Sequence, residues 1–271
     1  MENGRTVIIA EIGENHLGNM GMARVMIEQA ADAGADIVKF QSYRGVDVAE
    51  DDPERDWFGE VELSDEMHHE MKAYAEERGV EFMSSPFSVE RARLLCEGLG
   101  LKKIKIASSE MTNHNLLDYV NDYADVVFLS TGMASIDEIG ESLDHLPKVD
   151  EVYVLHCVTQ YPCEDADANL LAIRALQDAF PGNRIGYSDH TIGLAAPLAA
   201  VAMGAQVVEK HYTLAKVLPG TDHVLSVTPE EFKEMVQQIR RLENMLGRPE
   251  KMPIAAEMEI RELVRGRWAK D

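Results

Sequence analysis

Eight short apolar, β-rich runs alternate with eight helix-spaced stretches along the 271 residues, and no other feature constrains the fold as strongly. The runs cover 7–12, 36–41, 81–87, 104–108, 126–131, 152–158, 184–189 and 206–211. Near-continuous apolar strands of this kind are buried on both faces, as in parallel sheets covered by helices. The stretches between them, beginning with MGMARVMIEQAADAGA, repeat apolar residues every three and four positions; several begin at Ser, Thr, Asp or Asn and several end in Gly, as capped helices do. Eight units in about 240 residues predict an α/β fold, a single-domain (β/α)8 TIM barrel. An open doubly wound sheet is the alternative, disfavoured because no GxGxxG turn follows the first strand. The barrel is expected over 1–250, with 251–271 as a tail, and the widest interval, 42–63, reads as a long acidic loop after the second strand.

Charge narrows the partners. With 48 Asp+Glu against 26 Lys+Arg the net charge is −22, spread along the chain, so a polyphosphate backbone is repelled and nucleic acid is not an expected partner. No apolar run approaches the roughly 20 residues of a membrane span, and the charged start MENGRTVIIAEIGEN is unlike a signal peptide, so a cytoplasmic protein without a membrane role is expected. Cys96, Cys157 and Cys163 are odd in number and lack a CxxC pair, which favours reduced thiols. An anionic small substrate would therefore need a local cluster of positive groups.

In a barrel of this type chemistry sits at the carboxyl ends of the strands. Those ends supply Glu11, with Asn15 and His16 beyond; Lys39 and Gln41; Ser84 and Ser85; Lys105, Ser108, Ser109 and Glu110; Ser130 and Thr131; His156, with Thr159 and Tyr161 beyond; Ser188, Asp189 and His190; and Glu209, Lys210 and His211. A core strand that buries Lys39 or Lys105 must offset a desolvation cost of several kcal/mol. A bound anion does so, and so does a barrel-interior ion pair with Glu11 or Glu110. The two lysines together with Ser85, Ser108, Ser130 and Ser188 as neutral donors favour the anion, phosphate above all.

His190 and His211 end adjacent strands, so both imidazoles can face one point, as for a divalent metal with open positions; two ligands define no particular ion. Beyond the last strand, the Pro219–Gly220 turn either swings Asp222 and His223 over the mouth or stays in solvent. His68, His69, His114 and His145 fall on helical segments and read as surface residues. GxSxG, HExxH, P-loop and EF-hand patterns do not occur.

Nine ordered segments, AEIGENHLGN, DIVKFQ, FMSSPF, KIASSE, LSTGM, LHCVTQYP, GYSDHTIG, VVEKHYT and PGTDH, resemble the sialic acid synthase family over about residues 7–226. The resemblance implies a TIM barrel that condenses phosphoenolpyruvate with an open-chain amino-hexose to give a nonulosonic acid. A divalent metal assists, Mn²⁺ first, with Mg²⁺ or Co²⁺ as alternatives. It implies metal ligation by His190 and His211. Lys39, Ser85, Lys105, Ser108, Ser130, Ser188 and Tyr161 match residues around phosphoenolpyruvate, Gln41, Glu110 and Asp222 match residues near the acceptor, and Glu11 matches an acid beside the reacting centre, where it or the metal directs water to C2. Neither lysine needs to form a Schiff base.

Three departures accompany the resemblance. Thr159 stands where many members have Asn at the donor site. The loop 42–63 contains no Asn to match an acceptor contact of some members. The chain stops at ELVRGRWAKD, about where members continue into an antifreeze-like domain that supplies an arginine to the acceptor. Either the barrel works alone on a different sugar, or a separate polypeptide supplies the cap; Arg261, Arg265 and Arg267 read as a solvated helical face rather than as substitutes. A homodimer is expected from the resemblance alone. The competing readings are a related synthase of another 3-deoxy-2-keto sugar acid, which needs an extra basic site for a phosphorylated acceptor, and a catalytically silent barrel subunit.

Overall fold

The computed structural model describes residues 5–268; residues 1–4 and the last three residues of the expected tail lie outside it. The strands are β1 (Val7–Gly13), β2 (Ile37–Ser42), β3 (Glu81–Pro86), β4 (Lys103–Ile106), β5 (Val126–Ser130), β6 (Glu151–Cys157), β7 (Arg184–Asp189) and β8 (Val207–His211). All pair in parallel, in the order β3-β2-β1-β8-β7-β6-β5-β4, which is the sequence-expected (β/α)8 TIM barrel. β3 and β4 lie side by side to close the cylinder, but among the described residues no hydrogen-bonded ladder joins them.

The helices are α1 (Met20–Ala33), α2 (Arg55–Val61), α3 (Asp65–Glu77), α4 (Val89–Arg93), α5 (His114–Tyr123), α6 (Ile136–Asp144), α7 (Ala172–Ala179), α8 (Ala195–Ala202), α9 (Pro229–Leu246) and α10 (Ala255–Arg265). The caps foreshadowed by the sequence form: side chains of Asn19, Ser64, Ser88, Asn113, Ser135 and Thr228 accept from the first-turn N–H groups of α1, α3, α4, α5, α6 and α9. α9 packs against both α1 and α8 and so shuts the helical ring. Among the described residues no helix is long and apolar enough to cross a membrane.

Strand parity sorts the core. Odd positions of β1, Val7 and Ile9, fill the barrel floor with Ile37, Met83, Phe128, Tyr153, Leu155 and Val207. Even positions, Ile8, Ala10 and Ile12, face the helices together with Val38, Phe40, Ile104, Val127, Val154 and Val208.

Four expectations are corrected. The interval 42–63 is not a plain loop: a short 3₁₀ turn at Gly45–Asp47 and α2 fold it over the mouth, and Gly45 packs so closely on Gly59 that a Cβ would come within 2.4 Å of its Cα. β4 ends at Ile106, and Ser108–Glu110 form a separate 3₁₀ turn. His68 is buried completely, its Nδ1 2.8 Å from the Ser64 carbonyl, because the inner stripe of α3 passes through it; His69, His114 and His145 do lie toward solvent. Ser84, His156, Asp189 and Lys210 end strands but point outward to the helices rather than into the mouth. Lys210 is buried there against Asp189 Oδ2 at 2.6 Å, and His156 Nε2 lies 2.9 Å from the Ala168 carbonyl.

α10 buries none of its side chains, and Arg265 and Arg267 are exposed, as expected of a solvated face. Neither they nor Arg261 reach the barrel mouth.

Candidate active site

A cavity of about 720 Å³ opens at the carboxyl ends of the strands, within the size range of small-molecule sites. Every residue that the sequence reading assigned to the donor, metal and acceptor positions lines it: Glu11, Lys39, Gln41, Ser85, Lys105, Ser108, Glu110, Ser130, Thr159, Tyr161, Ser188, His190, His211 and Asp222. Asn15, His16 and His223 do not. Asn15 donates to the Tyr212 carbonyl and to Ser226, and His223 is buried against Thr213, so of the expected pair only Asp222 covers the mouth.

Ladder register explains the convergence. Glu11 is in register with Lys39 on β2 and with His211 on β8, Gln41 with Ser85, and Ser188 with Cys157 and Glu209. Inward parity continues from the apolar floor to the polar rim, so Val207, Glu209 and His211 rise along one face of β8.

At the bottom of the polar layer four charges meet. Lys39 Nζ lies 2.5 Å from Glu11 Oε2 and 3.8 Å from Glu209 Oε2, while Lys105 Nζ lies 3.5 Å from Glu209 Oε1. Lys39 also donates to Ser85 Oγ at 3.3 Å, and Ser188 Oγ donates to Glu209 Oε1 at 2.9 Å. The Lys–Glu pair anticipated for Lys39 is thus present, whereas Lys105 faces Glu209 rather than Glu110, whose Oε2 accepts from Asn113 instead. Burial pushes Glu11 up, beyond what Lys39 recovers; burial also raises Glu209, but Lys105 and Lys39 override it and hold that carboxyl well below its usual range. Burial lowers Lys105, and the charge of Lys39 adds to the shift, whereas at Lys39 the two carboxylates outweigh burial and raise it. Among the described residues Glu11 Oε1 and Ser130 Oγ are buried with no protein hydrogen-bond partner, which leaves both atoms available to a ligand or water in the cavity.

Glu209 is the central group that sequence reading passed over. It was noted at a strand end beside Lys210 and His211, and the alternation of β8 alone assigns it and His211 to the inside and Lys210 to the outside.

Next to this layer, just beyond β7 and at the end of β8, the two imidazoles meet, ring centroids 5.1 Å apart. His190 Nδ1 donates to the Val158 carbonyl at 2.6 Å, and His211 Nδ1 faces Asp222 Oδ2 at 3.1 Å. Each ring is thereby left with Nε2 as its free nitrogen, the orientation that protein acceptors impose on metal-ligating histidines. Burial lowers His211 and the Asp222 carboxylate overrides it, raising the imidazole above its ordinary value. Among the described residues no group of three or more His, Cys, Asp and Glu is set for a metal, so an ion at this point would have the two imidazoles as protein donors and would take its other ligands from substrate or water. Two imidazoles with open positions beside them are compatible with a divalent ion and select no particular one. Tyr161 packs against His190 with ring centroids 4.0 Å apart and the planes tilted by 31°.

Comparison with known proteins agrees with this architecture. The NeuB family model matches residues 26–251. N,N'-diacetyllegionaminic acid synthase of Campylobacter jejuni is 40% identical over 90% of this chain and 78% of its own length, and the enzyme of that name from Legionella pneumophila is 38% identical over 95% and 78%. The crystal structure of N-acetylneuraminic acid (sialic acid) synthetase from Leptospira borgpetersenii in complex with citrate superposes with a TM-score of 0.90 at 35% identity, covering 96% of this chain and 92% of that one. A family model spanning most of the barrel, and relatives named as synthases along nearly the whole chain, make this protein an enzyme, a condensing transferase that belongs to the NeuB family.

Proposed function

We propose that the enzyme, as one of the nonulosonic acid synthases, condenses phosphoenolpyruvate with an open-chain N-acyl amino-hexose, releasing phosphate and a nonulosonic acid. The observation that carries this reading is one cavity lined at once by Lys39, Lys105, two imidazoles with free Nε2 atoms and a set of strand-end hydroxyls. The family membership and the names of the relatives support the product class.

Phosphoenolpyruvate binds with its carboxylate and phosphate between Lys39 and Lys105, Ser85, Ser108, Ser130 and Ser188 donating to the oxygens; the ammonium groups keep that charge neutralised throughout. C3 of the enol attacks the aldehyde carbon of the acceptor, which forms the new carbon–carbon bond and leaves positive charge at C2. Water adds at C2 and Glu11 takes the proton it loses and passes it to the new alkoxide oxygen; the tetrahedral carbon expels phosphate by cleavage of its C–O bond as the C2 hydroxyl gives its proton to the departing phosphate and becomes the keto group. Gln41, Glu110 and Asp222 orient the acceptor hydroxyl groups. His190 and His211 would hold the divalent ion, and when bound it supplies Lewis acidity toward the acceptor aldehyde oxygen. The acid range of Glu11 suits its task, because burial keeps the carboxyl ready to receive a proton while Lys39 keeps it oriented.

Phosphate release from phosphoenolpyruvate in the presence of Mn²⁺ and a panel of aldoses tests the proposal. Release with N-acyl hexosamines supports it. Release only with phosphorylated tetroses or pentoses moves the chain to the related 3-deoxy-2-keto sugar acid synthases, and no release with any sugar marks a silent barrel.

A further inference from the structure

One wall of the cavity takes no part in the chemistry above. It is built by Glu14, just beyond β1, and by Tyr43, Arg44, Asp47, Asp52 and Glu54 of the segment that folds over the mouth. Glu14 is only 4% exposed although its side chain faces the cavity. Thr221 Oγ1 donates to Glu14 Oε1 at 3.2 Å, which sets the carboxyl beside Asp222. Burial first, and the neighbouring Asp222 charge second, hold it above the ordinary carboxyl range.

The cation of this wall is already committed. The Arg44 guanidinium donates to both oxygens of Asp47, at 2.9 and 3.0 Å, and to Glu90 at 3.0 Å. The lysines lie deep in the barrel with Glu11 and Glu209, in reach of phosphoenolpyruvate rather than of the rim.

We infer that Glu14 selects the acceptor: with the carboxylates around it, it admits a sugar that presents hydroxyl or amide hydrogens to this wall and rejects one that carries a phosphate there. The inference rests on the synthase reading and sharpens it to the unphosphorylated class of acceptor. Hydroxyl and amide groups donate charge-assisted hydrogen bonds to the carboxyl oxygens. A phosphate dianion in the same place either meets the charge of the buried Glu14 and Asp222 carboxyls or drags a proton onto Glu14, and both outcomes oppose binding. Discrimination of this kind works through the group that repels the wrong ligand as much as through contacts to the right one.

The experiment compares kcat/KM for an N-acyl hexosamine and for its 6-phosphate at saturating phosphoenolpyruvate and Mn²⁺, in the parent, in Glu14→Gln and in Asp52→Asn at the exposed rim. Gln keeps an oxygen for the Thr221 hydroxyl, so the wall stays in place. The parent is expected to favour the unphosphorylated sugar by about tenfold or more. Glu14→Gln should shrink that ratio severalfold with the KM for phosphoenolpyruvate unchanged, and Asp52→Asn should shrink it less. Equal or better use of the 6-phosphate by the parent overturns the inference and leaves the synthase reading standing. A ratio untouched by Glu14→Gln removes Glu14 as the selecting residue, since a purely structural role would lower both rates together. No phosphate release with either sugar brings down the synthase reading and the inference with it.

Discussion

Lys39 Nζ and Glu11 Oε2 sit 2.5 Å apart at directly registered positions of two adjacent strands, so the carboxylate proposed as proton acceptor and the ammonium proposed as anion ligand hold each other in place. Burial raises Glu11 despite the lysine, and its Oε1 has no hydrogen-bond partner among the described residues. Glu11→Gln should therefore keep the fold and the KM for phosphoenolpyruvate but lower kcat by roughly a hundredfold or more. Steady-state phosphate release checks it, and a kcat close to the parent value would relieve Glu11 of the proton role.

The imidazole pair makes a second prediction. His211→Ala is expected to abolish turnover with thermal unfolding little changed. Asp222→Asn, which leaves the ring but removes the carboxylate facing His211 Nδ1, should weaken activation by Mn²⁺ by about tenfold to a hundredfold. Titrating the chelated protein with Mn²⁺ while following phosphate release gives both numbers. Near-normal rates after thorough chelation would remove the metal from the reaction.

Gly132 turns the chain just beyond β5 against two hydroxyls of the proposed donor site. A Cβ there would lie 2.2 Å from Thr159 Oγ1 and 2.8 Å from Ser108 Oγ, and the Gly132 N–H donates to that same serine at 3.0 Å. Gly132→Ala must displace two donor-site hydroxyls; we expect the KM for phosphoenolpyruvate to rise about tenfold, with roughly 1–3 kcal/mol lost from stability. Chemical denaturation alongside the kinetics separates the two effects.

His68 sets an acid limit on stability. Burial pushes it down to about 4 from an ordinary 6.5, so the unfolded chain takes up its proton before the folded chain does. Its contribution is complete above about 6.5, is lost progressively as pH falls toward 4, and amounts to roughly 3 kcal/mol at most. His68→Gln should flatten the fall in urea midpoint between pH 7 and pH 4.5. A parent and variant that weaken in parallel over that range would show that other groups govern the acid limb.

Much of this was legible in the sequence because a barrel strand imposes both period and polarity. The strand ends named the site, and each residue assigned to the donor, metal and acceptor positions lines the cavity, although other polar residues at the same strand ends do not. What the strings of letters did not reveal was the face on which each polar residue sits. His156, Asp189 and Lys210 are as polar as their neighbours, yet each alternates outward and is satisfied among the helices. Glu209 has the opposite history: one step from Lys210 in sequence, it is the carboxylate shared by both lysines. His68 was misplaced because α3 is rich in charge and its narrow buried stripe, His68, Met71 and Ala75, is easily missed. The acidic composition of 42–63 hid α2, whose Trp57, Phe58 and Val61 turn toward the protein in a segment otherwise dominated by carboxylates.

Among the described residues seven laced joints and one unlaced joint make the cylinder unequal around its girth. The bare joint runs between the strand that carries Ser85 and the strand that carries Lys105, so a small anion gripped by both acts as a rivet across it. Filling the pocket and stiffening the wall then become one event, and amide exchange along that line should slow on ligation more than anywhere between β6 and β7.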